Sequence, residues 1–231
     1  KTNQAFAGIT GYRNEDVLGK TPDFLIATEQ HEAHFFTMIG ESLVVDGYWQ
    51  GEISYRRANH DIRTGWAGIS AVRDKHHNVQ SLIIIVSDIT ERKVIEERIH
   101  KLAYYDPLTG LPNRSQLNER LSTMLDEVRS HNQALALLFI DLDRFKPIND
   151  SMGHPAGDQV LKDVALRLQS CVKKHDLVCR MGGDEFTIAI GGQQSPESAA
   201  DTAVKVAERI LYALNQPYFL DQREVFISAS I

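Results

Sequence analysis

Residues 177–190, with the sequence LVCRMGGDEFTIAI, decide the fold of the second half of this chain. Two short apolar segments flank the four residues Gly182, Gly183, Asp184 and Glu185. A glycine pair between two strand-like segments is typical of a tight hairpin, because glycine adopts the backbone angles of such turns without a Cβ clash. The pattern therefore predicts two paired strands with two acidic side chains at their turn.

A further acidic side chain follows the apolar segment 134–140, which predicts a central strand buried on both faces. The strand ends at Asp141, which converges with Asp184 if strand and hairpin are neighbours. Carboxylates of this kind suit Mg²⁺ together with substrate phosphates. The spacing predicts a metal-dependent phosphate site, in which Lys146 and Arg180 would offset phosphate charge. Taken singly, Asp184 in a hairpin or Asp158 at a helix start would more often be a turn former or a helix cap.

Predicted helices and strands surround these segments in the order α-β-α-β-β-α-β. Asn113 and Ser195 are the expected N-caps of two of the helices. A further helix is expected from about residue 153 to 174, and a final strand over 224–231. This order predicts an α+β or α/β module with the mixed or antiparallel sheet of a ferredoxin-like or nucleotidyl-cyclase fold.

The first half of the chain has a different pattern. A helix is expected from about Gln30 to Val45, and strict alternation of apolar and polar residues over 49–55 predicts a half-buried strand. A second strand is expected over 62–72. The segment SLIIIV, residues 81–86, predicts a third and more fully buried strand. Short loops between consecutive strands indicate an antiparallel meander.

Residues 90–105 join the two halves and contain neither glycine nor proline, so a continuous helix is expected. Ile95, Ile99 and Leu102 are spaced by four and three residues, as in a coiled-coil seam. We expect this seam to pair two copies of the chain in parallel. The alternative is that it packs against its own domain.

The composition excludes several classes of protein. The 231 residues carry a net charge of −6, which argues against a nucleic-acid-binding protein with a basic surface. No apolar segment approaches the ~18 residues that span a bilayer, and the first residues lack the pattern of a signal peptide. Cys171 and Cys179 fit a reducing compartment and are expected to be small buried residues. We expect a cytoplasmic protein, whose parent chain can still have an upstream membrane anchor.

The first half resembles a PAS sensor domain. The resemblance rests on three segments: NQAFAGITGYRNEDVLGK (3–20), YWQGEISYRR (48–57) and VSDITERK (86–93). It implies an antiparallel sheet covered by short helices over residues 1–90, with the opening strands of the fold missing. The lack of cysteine in this half excludes cysteinyl-flavin photochemistry. His31 and His34 lie where haem-binding relatives carry an axial ligand, but they would more simply be outward-facing side chains of a helix. The ligand of the domain stays unassigned.

The second half resembles the GGDEF domain of diguanylate cyclases, which condense two GTP molecules into cyclic di-GMP. RMGGDEF (180–186) carries the resemblance, together with DPLTGLPNR (106–114), LFIDLDRFKPINDSMGH (138–154) and GDQVL (157–161). The resemblance covers residues 105–231, preceded by a helical stalk over 91–104. It implies a bacterial cyclase in which two domains, each with one GTP, face one another in a homodimer. The family continues beyond SASI (228–231), so this domain also looks truncated and the fragment itself is expected to be weak or inactive.

The resemblance also assigns roles to individual residues. Asp141, Asp184 and the carbonyl of Leu142 correspond to ligands of Mg²⁺ or Mn²⁺, and Glu185 to a residue that aids metal binding or activates the 3′-hydroxyl. Asn149 and Asp158 correspond to residues that bind the guanine edge. The remaining expected substrate contacts, which wrap the phosphates or let the backbone approach them, are Arg144, Phe145, Lys146, Arg180, Gly182 and Gly183.

One departure from the family bears on regulation. Where many relatives have an Arg-x-x-Asp product-inhibition site, this chain has Lys173 and Asp176, so feedback by cyclic di-GMP is expected to be weak.

The segments LAYYDPLTGLPNR and PYFLDQREVFISASI resemble GGDEF domains that precede an EAL phosphodiesterase domain. Two alternatives to a cyclase therefore remain: a GTP-binding regulatory module of a phosphodiesterase, or a non-enzymatic sensing and dimerisation module.

Overall fold

A computed structural model of the protein describes residues 1–220 and 223–231. The chain divides into two compact units, Lys1–Glu97 and Arg98–Ile231. Both contain helices and antiparallel sheets, which confirms the α+β class.

The first unit is a three-stranded meander with short helices. Its sheet has the order β1-β2-β3, and every pairing is antiparallel. Its elements are α1 (Gln4–Thr10), α2 (Asn14–Val17), two 3₁₀ turns (Pro22–Leu25 and Thr28–Gln30), α3 (Phe35–Val45), β1 (Tyr48–Arg56), β2 (Ile62–Arg73) and β3 (Val79–Asp88).

The core of the first unit follows from the alternation in β1. Trp49, Ile53 and Tyr55 are buried against Ile39 of α3 and Ala67 of β2, while Gln50 and Glu52 of β1 are exposed. The predicted half-buried strand is therefore confirmed, since side chains of a strand alternate between its faces.

Two predictions for the first unit are wrong. The long helix begins at Phe35, not near Gln30, because residues 28–30 form a separate 3₁₀ turn. The strand β3 is not buried: the exposed fractions of its side chains from Leu82 to Ile85 are 39–68%. The helix that covers the sheet is the reason, since α3 packs on β1 and β2.

The two histidines do not lie on a helix. His31 precedes α3, and its Nε2 accepts a hydrogen bond of 2.9 Å from the backbone N–H of Ser54. The ring of His31 also stacks on Phe35 at 3.9 Å between centroids. His31 therefore joins the loop to β1 through one of its two ring nitrogens, whereas His34 is an exposed neighbour of Glu32.

Helix α4 (Thr90–Tyr104) is continuous, as predicted. Its first turn is tied to the meander, because Asp88 accepts hydrogen bonds from the Thr90 N–H and the Tyr55 hydroxyl, both at 2.8 Å. Lys93 also forms a 2.6 Å ion pair with Glu52 of β1.

The second unit contains a four-stranded sheet with the order β5-β6-β4-β9 and a separate hairpin of β7 and β8. Every pairing among the described strands is antiparallel, so the mixed sheet that we allowed is not formed. Its elements beyond α4 are α5 (Arg114–His131), β4 (Ala134–Asp143), α6 (Phe145–Met152), α7 (His154–Ser170), β5 (Leu177–Gly182), β6 (Glu185–Gln193), α8 (Pro196–Leu214), β7 (Tyr218–Leu220), β8 (Arg223–Val225) and β9 (Ser228–Ser230).

The helix caps of the second unit are where the sequence predicts them. The side chain of Asn113 accepts hydrogen bonds from the N–H groups of Ser115 and Gln116 at the start of α5. Ser195 accepts from Ser198 at the start of α8. Such caps satisfy N–H groups that have no partner within the helix, which is why residue type alone locates them.

Two predicted strands differ from the structure. Strand β4 is central, but only one face is buried: Ile140 packs in the core with α7 and α8, whereas Phe139 is 66% exposed. The last predicted strand, 224–231, is divided into β8, which pairs with β7, and β9, which pairs with β4.

Both cysteines are buried and free, as expected. Burial raises the pKa of the Cys179 thiol to about 12, so it stays protonated. No helix in residues 1–220 or 223–231 combines the length and the apolar character needed to cross a bilayer.

Candidate functional site

The glycine-rich turn forms the predicted hairpin. Strand β5 ends at Gly182 and β6 begins at Glu185, so Gly183 and Asp184 are the turn residues. The φ angles of Gly182 and Gly183 are 139° and 55°. Residues with a Cβ rarely adopt such angles, which explains why both positions are glycine.

The buried side chain of Arg180 holds this turn. Its Nε and one terminal nitrogen donate to the carbonyl oxygen of Gly183 at 3.1 and 2.7 Å, and the other terminal nitrogen donates to Asp106 at 2.8 Å. Arg180 is only 9% exposed. These contacts favour a role in positioning the hairpin, and the phosphate contact suggested by the sequence stays a prediction.

Asp106 is a partner of Arg180 that the sequence does not predict. Its carboxylate also accepts hydrogen bonds from the N–H and hydroxyl of Thr109 at 2.8 and 2.6 Å. Burial alone would raise the pKa of Asp106, but the hydrogen bonds from Thr109 and Arg180 outweigh it and hold the pKa below its ordinary value. The residue lies in a turn-rich segment, and no local pattern indicates a partner 74 residues away.

The end of β4 lies beside the hairpin. Asp141 is in register with Glu185, and the N–H of Leu142 donates to the carbonyl oxygen of Asp184 at 3.3 Å. The side chains of Asp141 and Glu185 are exposed, and that of Asp184 is partly exposed. The sequence predicted that Asp141 and Asp184 converge if the strand and the hairpin are neighbours. The structure meets this condition.

The donor set at this edge fits a hard divalent cation. Two carboxylates, of Asp141 and Asp184, and the carbonyl of Leu142 are oxygen ligands of the kind that Mg²⁺ takes, with the remaining positions left to water and phosphate. Among the described residues, no group of three or more His, Cys, Asp or Glu side chains is placed to hold a metal ion.

Asp143, the second acid at the end of β4, has a different environment. Its two carboxylate oxygens accept hydrogen bonds from the hydroxyls of Ser228 and Ser230 at 2.7 and 2.8 Å. These bonds hold the pKa of Asp143 below its ordinary value. The residue therefore fixes β9 against β4, a role that the sequence does not reveal because the serines follow more than 80 residues later.

The segment Arg144–Lys146 follows β4 directly. Arg144 has a left-handed φ of 58°, and α6 begins at the next residue. The side chain of Phe145 is buried in the core, whereas Arg144 and Lys146 are exposed. The first N–H groups of a helix have no partner within it, so this corner offers backbone donors as well as two cations to an anion.

Asn149 and Asp158 lie on two consecutive helices, α6 and α7, which Gly153 alone connects. Gly153 has a φ of 82°, and its N–H donates to the carbonyl of Asn149 at 2.9 Å. Asn149 is partly buried and Asp158 is exposed. No hydrogen bond within the described residues uses either side-chain polar group.

The predicted feedback segment borders a separate cavity of about 400 Å³. Asp176 is a lining residue, and one of its carboxylate oxygens accepts a hydrogen bond of 2.8 Å from the N–H of Lys173. None of the residues predicted to bind GTP lines this cavity.

Comparison with known families identifies both parts of the chain. Residues 103–231 match the family described as diguanylate cyclase, GGDEF domain, and residues 1–91 match a PAS domain. The chain therefore belongs to the GGDEF family, with a PAS domain in front of its GGDEF domain.

Curated relatives include proteins named for synthesis of cyclic di-GMP and proteins named for its hydrolysis. The diguanylate cyclase TpbB of Pseudomonas aeruginosa is 43% identical over 115 residues, which cover 50% of this chain and 26% of TpbB. The bifunctional diguanylate cyclase/cyclic di-GMP phosphodiesterase MucR of the same organism is 43% identical over 131 residues, 57% of this chain and 18% of MucR. The chain thus matches about a quarter or less of the length of these relatives.

A solved structure with the same fold is the GGDEF domain of TpbB from Pseudomonas aeruginosa. It is 41% identical, with a TM-score of 0.51, and the match covers 55% of this chain and 72% of that one.

Proposed function

We propose that this chain is the sensing and catalytic part of a sensor-regulated diguanylate cyclase. In the proposed reaction, the 3′-hydroxyl of each GTP attacks the α-phosphate of the other, and pyrophosphate leaves from each. The observation that carries the proposal is the placement of Asp141 beside the Asp184 turn, since the metal ions of phosphoryl-transfer sites are held by oxygen ligands and both segments supply a carboxylate here.

Each remaining residue then has a distinct task. Asn149 and Asp158 would bind the guanine edge, while Lys146, Arg144 and the backbone at Phe145 would hold the phosphates. Glu185 would aid metal binding or accept the 3′-hydroxyl proton. Mg²⁺ held by Asp141, Asp184 and the Leu142 carbonyl would neutralise phosphate charge. Gly182 and Gly183 would let the turn approach the substrate closely, and Arg180 keeps that turn in place.

A homodimer is part of the proposal, because one GGDEF domain holds one GTP. The side chains of Ile95, Ile99 and Leu102 support it, since each is more than half exposed on α4 and none packs into a described core. Pairing of this seam would orient two domains toward each other, so catalysis would depend largely on positioning. The PAS domain would adjust that orientation in response to a signal whose chemistry stays unassigned.

A second function is favoured by the similarity to MucR, whose name includes phosphodiesterase activity. In that case the GGDEF domain would bind GTP and regulate a phosphodiesterase domain on the same longer chain. The PAS domain and stalk would serve the same transmitting purpose.

One assay separates these functions. The full-length protein is incubated with GTP and Mg²⁺, and cyclic di-GMP is measured by chromatography. We expect product formation that falls about 100-fold or more in Asp184→Ala, because loss of a charged ligand costs on the order of 3 kcal/mol of transition-state stabilisation.

Asp201→Ala, at an exposed position of α8, is the control and should keep wild-type activity. GTP binding without product would favour the regulatory function. A full-length protein that neither binds nor converts GTP would contradict both.

A further inference from the structure

A buried glycine of α7 lies directly against one of the residues proposed to read the guanine base. Gly157 is a buried residue of α7, one position before Asp158. A Cβ built at Gly157 would lie 2.0 Å from Oδ1 and 2.9 Å from Cγ of Asn149. Contacts below 3.0 Å are essentially never made by a real Cβ, so the Asn149 amide occupies the space that any other side chain would need.

The close approach is built into the corner between α6 and α7. Gly153 connects the two helices, and its carbonyl oxygen accepts a weak hydrogen bond of 3.4 Å from the N–H of Gly157. The same hypothetical Cβ would lie 3.1 Å from Cζ of the buried Phe145. A side chain at position 157 would therefore meet the buried Phe145 as well as the Asn149 amide.

Helix stability alone does not explain a glycine here. In a helix interior, alanine is favoured over glycine by about 1 kcal/mol, and a buried position usually gains from a methyl group. Glycine at position 157 therefore destabilises the helix. The feature that offsets this loss is the Asn149 amide, which occupies the space of the absent side chain.

We propose that Gly157 is a positioning residue for nucleobase selectivity: its missing side chain is the slot that holds the Asn149 amide beside the Asp158 carboxylate. An amide and a carboxylate together offer donors and acceptors to one purine edge. Guanine presents a carbonyl acceptor and N–H donors on that edge, whereas adenine presents the opposite arrangement at its exocyclic group. Displacing the amide removes the match to guanine, and none of the proposed metal residues is among the groups nearest to a Cβ at position 157. This inference rests on the proposed GTP-binding function.

The first experiment measures selectivity. Binding of GTP and of ATP to the full-length protein is titrated for wild type and Gly157→Ala. We expect GTP affinity to fall tenfold or more, with little change for ATP, so that the preference for GTP is largely lost. Gly40→Ala is the matched control, because it also places a methyl on a helical glycine but meets nothing within 4 Å. It should keep the wild-type preference.

A second measurement needs no nucleotide. Unfolding by urea is compared for Asn149→Ala and for the double variant Asn149→Ala/Gly157→Ala. With the amide gone, alanine at position 157 should be tolerated and the double variant should be at least as stable as Asn149→Ala. This comparison keeps the slot testable even if Gly157→Ala alone fails to fold.

The outcomes are distinguishable. If wild type prefers GTP and Gly157→Ala keeps that preference, the inference is overturned while the proposed function stands. If wild type prefers neither nucleotide, the proposed function and this inference fail together. A double variant clearly less stable than Asn149→Ala overturns the slot itself, since glycine would then be required for another reason.

Discussion

Arg180 is a buried cation whose donors all serve the hairpin and the loop before α5. One carboxylate, of Asp106, and one carbonyl, of Gly183, satisfy its guanidinium. A guanidinium suits this place because it is planar and offers donors in two directions at once. Removing one partner of a buried pair costs more than the pair contributes, since the other charge is left without compensation.

The first prediction concerns the pH dependence of this pair. The pKa of Asp106 is held low in the folded chain, so its contribution to stability is present above the unfolded pKa of about 3.9 and is lost as pH falls through the folded value. Asp106→Asn should lower the free energy of unfolding by about 1–3 kcal/mol at pH 7. The difference from wild type should shrink as pH falls below about 4.

Urea titrations from pH 7 to pH 3 measure that difference. Asp126→Asn is a suitable control, because its carboxylate is largely exposed beside Arg129 and such pairs contribute little. A difference between wild type and Asp106→Asn that is constant with pH would contradict the prediction.

Asp141 and Asp143 show how two like residues on one strand acquire different tasks. Asp143 is held by two serine hydroxyls of β9, whereas Asp141 faces the hairpin turn. The bonds of Asp143 explain why Asp141 is the better candidate to ligate a metal, since its oxygens are not committed to a neighbouring strand.

At the scale of elements, α4 differs from the other helices because contacts anchor both of its ends while its middle is exposed. Its first turn is bound through Thr90 and Lys93, and at its other end the carbonyl of Ala103 accepts from the Asn113 side chain at 2.8 Å. The exposed apolar side chains between these anchors are expected to be covered in a dimer.

The second prediction tests that seam. Ile99 is 60% exposed in the single chain. Ile99→Asp should raise the dissociation constant of a dimer by tenfold or more, because burying an isoleucine contributes on the order of 2 kcal/mol and a dimer contains it twice. Sedimentation velocity over a range of concentrations measures the effect. His100→Asp, one residue further around the helix, should change it little. Equal dissociation constants for Ile99→Asp and wild type would argue against pairing through α4.

At the scale of the whole chain, the two units have cores of very different size. Among residues 1–220 and 223–231, five buried residues form the core of the first unit, against twenty-three in the second. Stability rises with buried apolar area, so the second unit should resist denaturation better.

Tryptophan fluorescence can test this third prediction. Trp49 and Trp66 are the two tryptophans of the sequence, and both lie in the first unit. The fluorescence midpoint in urea should precede the midpoint from far-ultraviolet circular dichroism by on the order of 1 M. Trp66→Phe leaves the buried Trp49 as the sole reporter and should preserve the order of the midpoints. Coincident transitions would show that the chain unfolds as one cooperative unit.

Local features of the fold could be predicted because they depend on few neighbouring residues. The Gly182–Gly183 turn, the Asn113 and Ser195 caps and the alternation in β1 follow from backbone angles, unpaired helix N–H groups and strand pleating. The sequence predicted that Asp141 and Asp184 converge only if strand and hairpin are neighbours, and the pairing of β4 with β6 meets that condition.

The sequence by itself therefore determined the α+β class, the stalk helix and the acidic hairpin of a GGDEF domain. Only the tertiary structure decided that β3 and one face of β4 are exposed, because burial depends on which helices cover a sheet. It alone paired Asp106 with Arg180, which is 74 residues away, and seated the Asn149 amide over Gly157. Such contacts depend on how distant segments pack, and no local pattern of residues encodes them.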